Sequence, residues 1–385
     1  VNEVLFLHWM SWPGMTRESL AANDDWAFLT YPNAEYDPVE GSAVLHRWID
    51  EMVYAEELGF DGLVYNEHHQ MPHAHLPSAN VMSATLAART SRIKLVPLGH
   101  VVPVHHPVQL AEEIALVDLI SGGRVVAGLS KGIGHEFFAR SIDPGEARGR
   151  FDEAVDIMVR AWSEPGPFAY SGQYWHLPFV NIWPRPLQQP HPPIWITGTG
   201  SPNTPAWAAR RGYPYVKGLD KEDAVLRMFD IYRAAAEEAG REPDPNNLVF
   251  SKHVYMAENE EEAWRRGKEH YEYVLRDLFE IPDHIFFPPG SVPPENYERA
   301  AGGYRHYRDT SIEQLVEEGV VLIGTPDQVI ESLLRAEEHL GFGKAVITLA
   351  FGKMGETETR EHMALFAERV LPHIRDTVPS AAPSA

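Results

Sequence analysis

Residues 93–130 read IKLVPLGHVVPVHHPVQLAEEIALVDLISGGRVVAGLS. Two apolar runs, 93–102 and 122–130, flank a stretch of different period. Between them Leu110, Ile114, Val117 and Ile120 fall on one face of a helix. The flanking runs are almost continuously apolar rather than alternating. That is the mark of strands in a parallel sheet covered on both faces. The segment is therefore a strand–helix–strand unit, the building block of an α/β domain.

The same alternation extends outward in both directions. Apolar runs at 3–9, 62–66, 192–200, 214–218, 248–257 and 344–352 read as further strands. Helical patterning covers 43–58, 78–90, 148–162, 203–211, 221–239, 259–278, 325–340 and 357–375. Thr325, Pro326 and Gln328 open one of these helices with a cap, a first-turn proline and the partner of a capping box. Eight strands alternating with helices fit an α/β fold of the (β/α)8 TIM-barrel type, with an open doubly wound sheet as the alternative. One domain is expected over 1–378, with an irregular insertion at about 281–310 before the eighth strand. The tail PSAAPSA, 379–385, is expected to be disordered.

Composition narrows the function. The chain has 385 residues, 44% of them apolar, no cysteine and a net charge of −22. That charge and the lack of a basic stripe argue against nucleic-acid binding. No run is long and apolar enough for a membrane helix. The start, VNEVLFLHWM, does not read as an export signal, so a cytoplasmic protein is expected. Disulfides and thiol chemistry are excluded.

In a barrel of this kind the active site lies at the C-terminal ends of the strands. The second strand ends there in Asn66-Glu67-His68-His69, with His73 and His75 close behind. His68 is the candidate proton donor or base, oriented by Glu67 or Asn66. The competing reading is a hydrogen-bonded strand-end histidine without chemistry. His100, His105 and His106 keep a hydrolytic metal centre open as an alternative, but no metal is expected, since the late strands lack acidic ends. Two Gly-rich turns, GLSKGIGHEF (128–137) and GTGSPNT (198–204), could cradle a phosphate, as could Arg148 and Arg150 at a helix start. Ordinary turns and a solvated helix end are the plain alternatives.

Taken in order, GFDGLVYNEHH, HPVQLAEEIALVDLISGGRVVAGLSKG, RGRFDEA, PAWAARRG and LIGTPDQVIESL resemble the bacterial luciferase-like flavin-dependent monooxygenases. The resemblance spans nearly the whole chain. It implies a (β/α)8 barrel that takes reduced FMN and O2 and, through a flavin peroxide, oxygenates an organic substrate. His68 then matches the family's active-site histidine, with Glu67 beside the cofactor. Leu98-Gly99 matches a non-prolyl cis peptide under the flavin ring. Ser130 replaces luciferase's reactive cysteine. Lys131 stands where luciferase has a phosphate-binding arginine, and Gly132 follows it. Arg148 matches a second such arginine, Ser201 and Thr204 match hydroxyls on the phosphate, and Gly200 stands in place of a glutamate.

Trp9, Met10, Trp12, Trp183 and Phe351 are expected to line an apolar pocket for a hydrophobic organic substrate, covered by the 281–310 segment as a lid. His73 and His75 are expected to be exposed loop residues. No dinucleotide fingerprint is present, so a separate reductase is expected to supply the reduced flavin. A homodimer is expected from the family. Deazaflavin-dependent hydride transfer and a non-catalytic flavin-binding barrel are the alternatives.

Overall fold

The computed structural model describes residues 1–15, 19, 29, 31–198, 200–279 and 281–375. Thr199, within the quoted GTGSPNT, and the 379–385 tail lie outside the described residues. All eight expected strands form. They are β1 (Glu3–His8), β2 (Gly62–Tyr65), the pair β3 (Lys94–Pro97) and β4 (His100–Val101), and β5 (Ala127–Ser130). After a hairpin of β6 (Phe168–Ser171) and β7 (His176–Val180) come β8 (Ile194–Thr197), β9 (Tyr215–Gly218) and β10 (Leu248–Met256). β11 (Val321–Gly324) and β12 (Lys344–Ala350) complete the set.

The strands run in the order β3-β2-β1-β12-β10-β9-β8-β5-β4, each pair parallel. The two ends of this path meet. Leu95 N–H donates to the Arg124 carbonyl at 3.0 Å, and Val126 N–H to the Leu95 carbonyl at 2.9 Å. The result is a nearly closed parallel barrel wrapped in helices.

One expected strand is divided. The run 93–102 changes partner halfway: β3 pairs with β2, and β4 with β5. The break falls at Leu98-Gly99, which is cis. Gly128 makes the close approach there possible, because a Cβ on it would stand 1.7 Å from the Pro97 carbonyl oxygen. Leu5, Leu7, Val64, Val96, Val126, Trp195, Val216, Val249 and Val346 fill the barrel as one buried cluster, with Trp9 and Leu98 packed at its upper end. β-branched side chains dominate it, as barrel interiors require.

Around the barrel lie α1 (Pro38–Glu57), α2 (Ala79–Arg89), α3 (Pro107–Ser121), α4 (Gly134–Ala139), α5 (Ala147–Ser163), α6 (Asn203–Arg211), α7 (Glu222–Glu238) and α8 (Glu260–Glu272). Three corrections concern the connections. The loop before β8 contains the antiparallel β6–β7 hairpin. β11 pairs with the C-terminal half of β10, a strand not expected. The 281–310 segment is largely helical: α9 (Asp283–Phe286) and α10 (Tyr297–Asp309) follow a π-helical turn, Tyr273–Leu278. After α11 (Ile312–Glu317), the helix α12 (Pro326–Leu340) opens as expected, with Thr325 Oγ1 accepting from Gln328 N–H and Gln328 Oε1 from Thr325 N–H.

Candidate active site

The end of β2 delivers Glu67, His68 and His69 to the mouth, and they part at once. Glu67 turns inward and is 2% exposed. Its Oε1 accepts from His105 Nε2 at 2.7 Å, His69 Nε2 at 3.2 Å and Val101 N–H at 3.3 Å, while His100 Nδ1 stands 3.5 Å from Oε2. Burial alone would raise its pKa. The bonds from His100, His105 and His69 outweigh burial and hold the carboxyl well below its usual range. His105 is pushed up despite its own burial, by its bond to Glu67 and the charges of Glu67 and Glu113.

Glu67, His69 and His105 offer ligand atoms within 4.8 Å of one another, as do His68, His135 and Glu136. In the first group Arg140 Nη2 donates to His69 Nδ1 at 2.9 Å. The neutral ring then carries its proton on Nε2 and gives it to Glu67. That set is a filled hydrogen-bond network, not an open ligand set.

His68 faces the mouth, its side chain 20% exposed. Its Nδ1 lies 3.0 Å from Glu136 Oε1. Glu136 is buried on α4, and its Oε2 also accepts from Ile133 N–H at 2.8 Å. A carboxylate only accepts, so Nδ1 carries the proton and Nε2 of the neutral ring keeps a lone pair. His73 and His135 stand beside His68, ring centroids 6.1 Å away in each case. Both are buried, contrary to the expectation for His73, while His75 is half-buried against Tyr36. Burial first, then the charge of neighbouring histidines, keeps His73 and His135 well below the usual imidazole value. Sequence reading missed Glu136 and His135, though both lie within the quoted GLSKGIGHEF.

The cradle residues lie on one side of the mouth. Ser130 ends β5, its hydroxyl 3.4 Å from the His100 carbonyl. Lys131 is half-buried and Gly132 turns the chain with φ 87°. Burial and then the charge of Arg148 push the Lys131 ammonium below its usual range. Arg148, at the start of α5, reaches Asp152 at 2.9 Å and lies 5.5 Å over the Trp207 ring. Trp207 is one turn beyond Thr204 on α6, and Thr204 N–H donates to the Ser201 carbonyl at 3.1 Å. Gly200 and Ser201 are exposed. Lys131 has no ion-pair partner among the described residues, and a cation left so suits an anion such as phosphate.

The expected pocket residues divide. Trp9 and Phe351 lie at the mouth, 4.8 and 5.8 Å from the His253 ring. Met10 does not. Its left-handed φ of 56° turns it into the buried layer shared with Trp12, Met15 and Trp48. Trp183 is 81% exposed on the outside of the helix layer, its N–H 3.5 Å from the Glu112 carboxylate on α3. Its proline-rich stretch feeds the start of β8, not the end of a strand.

An oriented imidazole at the mouth of a parallel barrel is a usual place for an enzyme's active site. Residues 26–342 match the model of the luciferase-like monooxygenases, and the chain belongs to that family of oxidoreductases. It is 27% identical over 349 residues to the alkanal monooxygenase alpha chain of Photobacterium leiognathi, covering 86% of this chain and 94% of that one. The crystal structure of monooxygenase RslO1 from Streptomyces bottropensis is 28% identical, with a TM-score of 0.69 over 84% of this chain and 93% of that one. The oxygenating constituent of 3,6-diketocamphane monooxygenase from Pseudomonas putida, in complex with FMN, has a TM-score of 0.73 over 97% and 98% of the two chains. At 24% identity that likeness is one of fold.

Proposed function

We propose that the protein is the oxygenase of a two-component system in the cytoplasm, using FMN reduced by a separate flavin reductase to put oxygen into an uncharged organic substrate. The observation that carries this reading is His68, held by Glu136 at 3.0 Å at the barrel mouth, with Lys131 half-buried in the turn that follows β5. Bound reduced FMN supplies the electrons that activate O2. Lys131, Arg148, Ser201 and Thr204 would hold its phosphate, and Leu98-Gly99 and Ser130 would border its ring. Glu136 fixes His68 so that Nε2 can take or hold a proton at the mouth. The buried rings around His68 exclude water, which guards an oxygen-activating site against wasteful turnover. That a neighbour of the same fold was solved in complex with FMN fits the cofactor proposed.

The exposed Leu116, Leu119 and Ile120 of α3, with Val81 of α2 and Trp183 and Leu187 beside them, support a homodimer through this apolar face. Light scattering of the wild type against Leu116→Glu reads it, and a monomeric wild type rejects it.

The function is tested by mixing the protein and anaerobically reduced FMN with oxygenated buffer in a stopped-flow instrument. A transient near-ultraviolet band that outlasts the oxidation of free reduced FMN, and is shortened in His68→Ala, is the expected result. Oxidation as fast as that of free reduced FMN, with no transient, refutes the reading and favours deazaflavin hydride transfer or flavin storage.

A further inference from the structure

Beyond His68 a file of rings crosses the mouth. His68 meets His73 at 6.1 Å, His73 meets Trp9 at 5.2 Å, Trp9 meets His253 at 4.8 Å, and His253 meets Phe351 at 5.8 Å. Phe279 closes on the edge of His73 at 4.7 Å, and Tyr271 backs Phe351 at 4.7 Å. The Trp9 contacts to His73 and His253 are edge-on, at 78° and 67°. This tilted tiling is the arrangement in which aromatic groups attract one another, and it offers faces and edges to a further ring.

The file is also polar at its centre. Thr348 stands opposite His253 in the β10–β12 register, and Trp9 follows β1 on the neighbouring strand. The Thr348 hydroxyl and the Trp9 indole nitrogen are buried without a hydrogen-bond partner among the described residues. The His253 ring, 3% exposed, has none either among them. Two buried polar atoms without a partner, with an imidazole beside them on adjacent strands, ask for a ligand atom to satisfy them. An indole N–H only donates, so that atom must accept, while the hydroxyl and the imidazole can donate as well.

No charged side chain of the described residues is paired with Trp9, His253 or Thr348. Lys252 points away, its ammonium on the Gly319 carbonyl and 3.8 Å from Glu222. Burial, and then the charge of Lys252, pushes His253 down to about 3. An anionic or cationic substrate would be stripped of water with nothing to pair it.

We infer that this file is the substrate wall of the oxygenase, that its substrate is an uncharged, planar aromatic compound, and that a carbonyl oxygen on that compound is held by His253, Trp9 and Thr348. The inference deepens the proposed function and rests on it for naming the ligand a substrate. It sets aromatic ketones ahead of aliphatic aldehydes and carboxylates.

The test is equilibrium dialysis of the full chain with FMN, without oxygen, against four probes: 1-indanone, indane, octanal and benzoate. 1-Indanone is expected to bind about tenfold more tightly than indane, the worth of one or two neutral hydrogen bonds. Octanal and benzoate are expected to bind more weakly than 1-indanone. His253→Phe keeps the ring and should erase the preference of 1-indanone over indane while indane still binds, which also shows that the variant folds. Thr348→Val should reduce the preference in part. Equal binding of indanone and indane in the wild type, octanal as tight as indanone, or an unchanged preference in His253→Phe would each overturn the inference. Dialysis involves no turnover. Ring preference without the stopped-flow transient therefore refutes the monooxygenase reading alone, and a transient without ring preference refutes the wall alone.

Discussion

Lowering the pH from 6 to 5 is expected to destabilise the protein by about 2.4 kcal/mol through two buried histidines alone. His253 is pushed down to about 3 by burial and the charge of Lys252. Burial likewise pushes His362 down to about 4, against a bond from its Nδ1 to the Leu349 carbonyl. Its other nitrogen accepts from Met256 N–H at 3.0 Å, so protonation would break that bond. Both folded values lie below the ordinary imidazole value, so below about pH 6.5 the unfolded chain takes up protons that the folded chain refuses. Stability then falls with pH until the folded value is reached, each group contributing about 1.2 kcal/mol between pH 6 and 5. His73 and His135 act in the same direction. Glu67 is depressed, so its contribution is intact in this window and is lost only as pH falls through its folded value. His105 is raised, so its contribution is full below the ordinary value and fades as pH climbs past its folded one. The maximum should therefore lie near neutrality, and the acid side should be the steeper. Urea unfolding at pH 7, 6, 5.5 and 5 reads the slope. His253→Gln, which cannot titrate, should lose about 1.2 kcal/mol of the drop. A flat profile, or an unaltered slope in that variant, would refute the reasoning.

Three further outcomes follow from single contacts. Gly128→Ala would drive a methyl to 1.7 Å from the Pro97 carbonyl, so calorimetry should show a loss of about 3 kcal/mol or no folded protein. Lys131→Ala should weaken FMN about tenfold or more in fluorescence titration, with riboflavin, which lacks the phosphate, unaffected. Glu136→Gln replaces a charge-assisted bond to His68 with a neutral one, so turnover should fall about tenfold while FMN affinity, measured by titration, holds.

The barrel was legible because its strands are continuous apolar runs with helical stripes between them. What that pattern cannot record is a change of partner. Residues 93–102 are apolar throughout, yet β3 and β4 pair with different neighbours. The 281–310 segment was misread because its prolines and the pair Gly302-Gly303 are breakers. Burial of Ala301 and Tyr304, whose hydroxyl bonds to Ile281 N–H at 3.0 Å, outweighs the glycine cost in α10. His68 stood out by its neighbours in sequence. Glu136 did not, since the residue it serves is 68 positions away. His253 was silent for another reason: it sits inside a strand, and only the closed barrel brings Trp9 and Phe351 against it. Met10 and Trp183 share the aromatic and sulfur character of a pocket lining, but side-chain character does not say which way a turn will face.

The π-helical turn carries a mechanical consequence. Tyr273, its first residue, donates its hydroxyl to the Trp12 carbonyl at 2.7 Å, fastening two segments 261 positions apart. Phe279, just past the turn, rests on His73. The early loop and the late turn are thus two leaves of one door, and this hydroxyl is one of its latches. Amide exchange at 11–15 and 273–278 should quicken together in Tyr273→Phe. How long the mouth keeps its contents would then depend in part on how often that hydroxyl lets go.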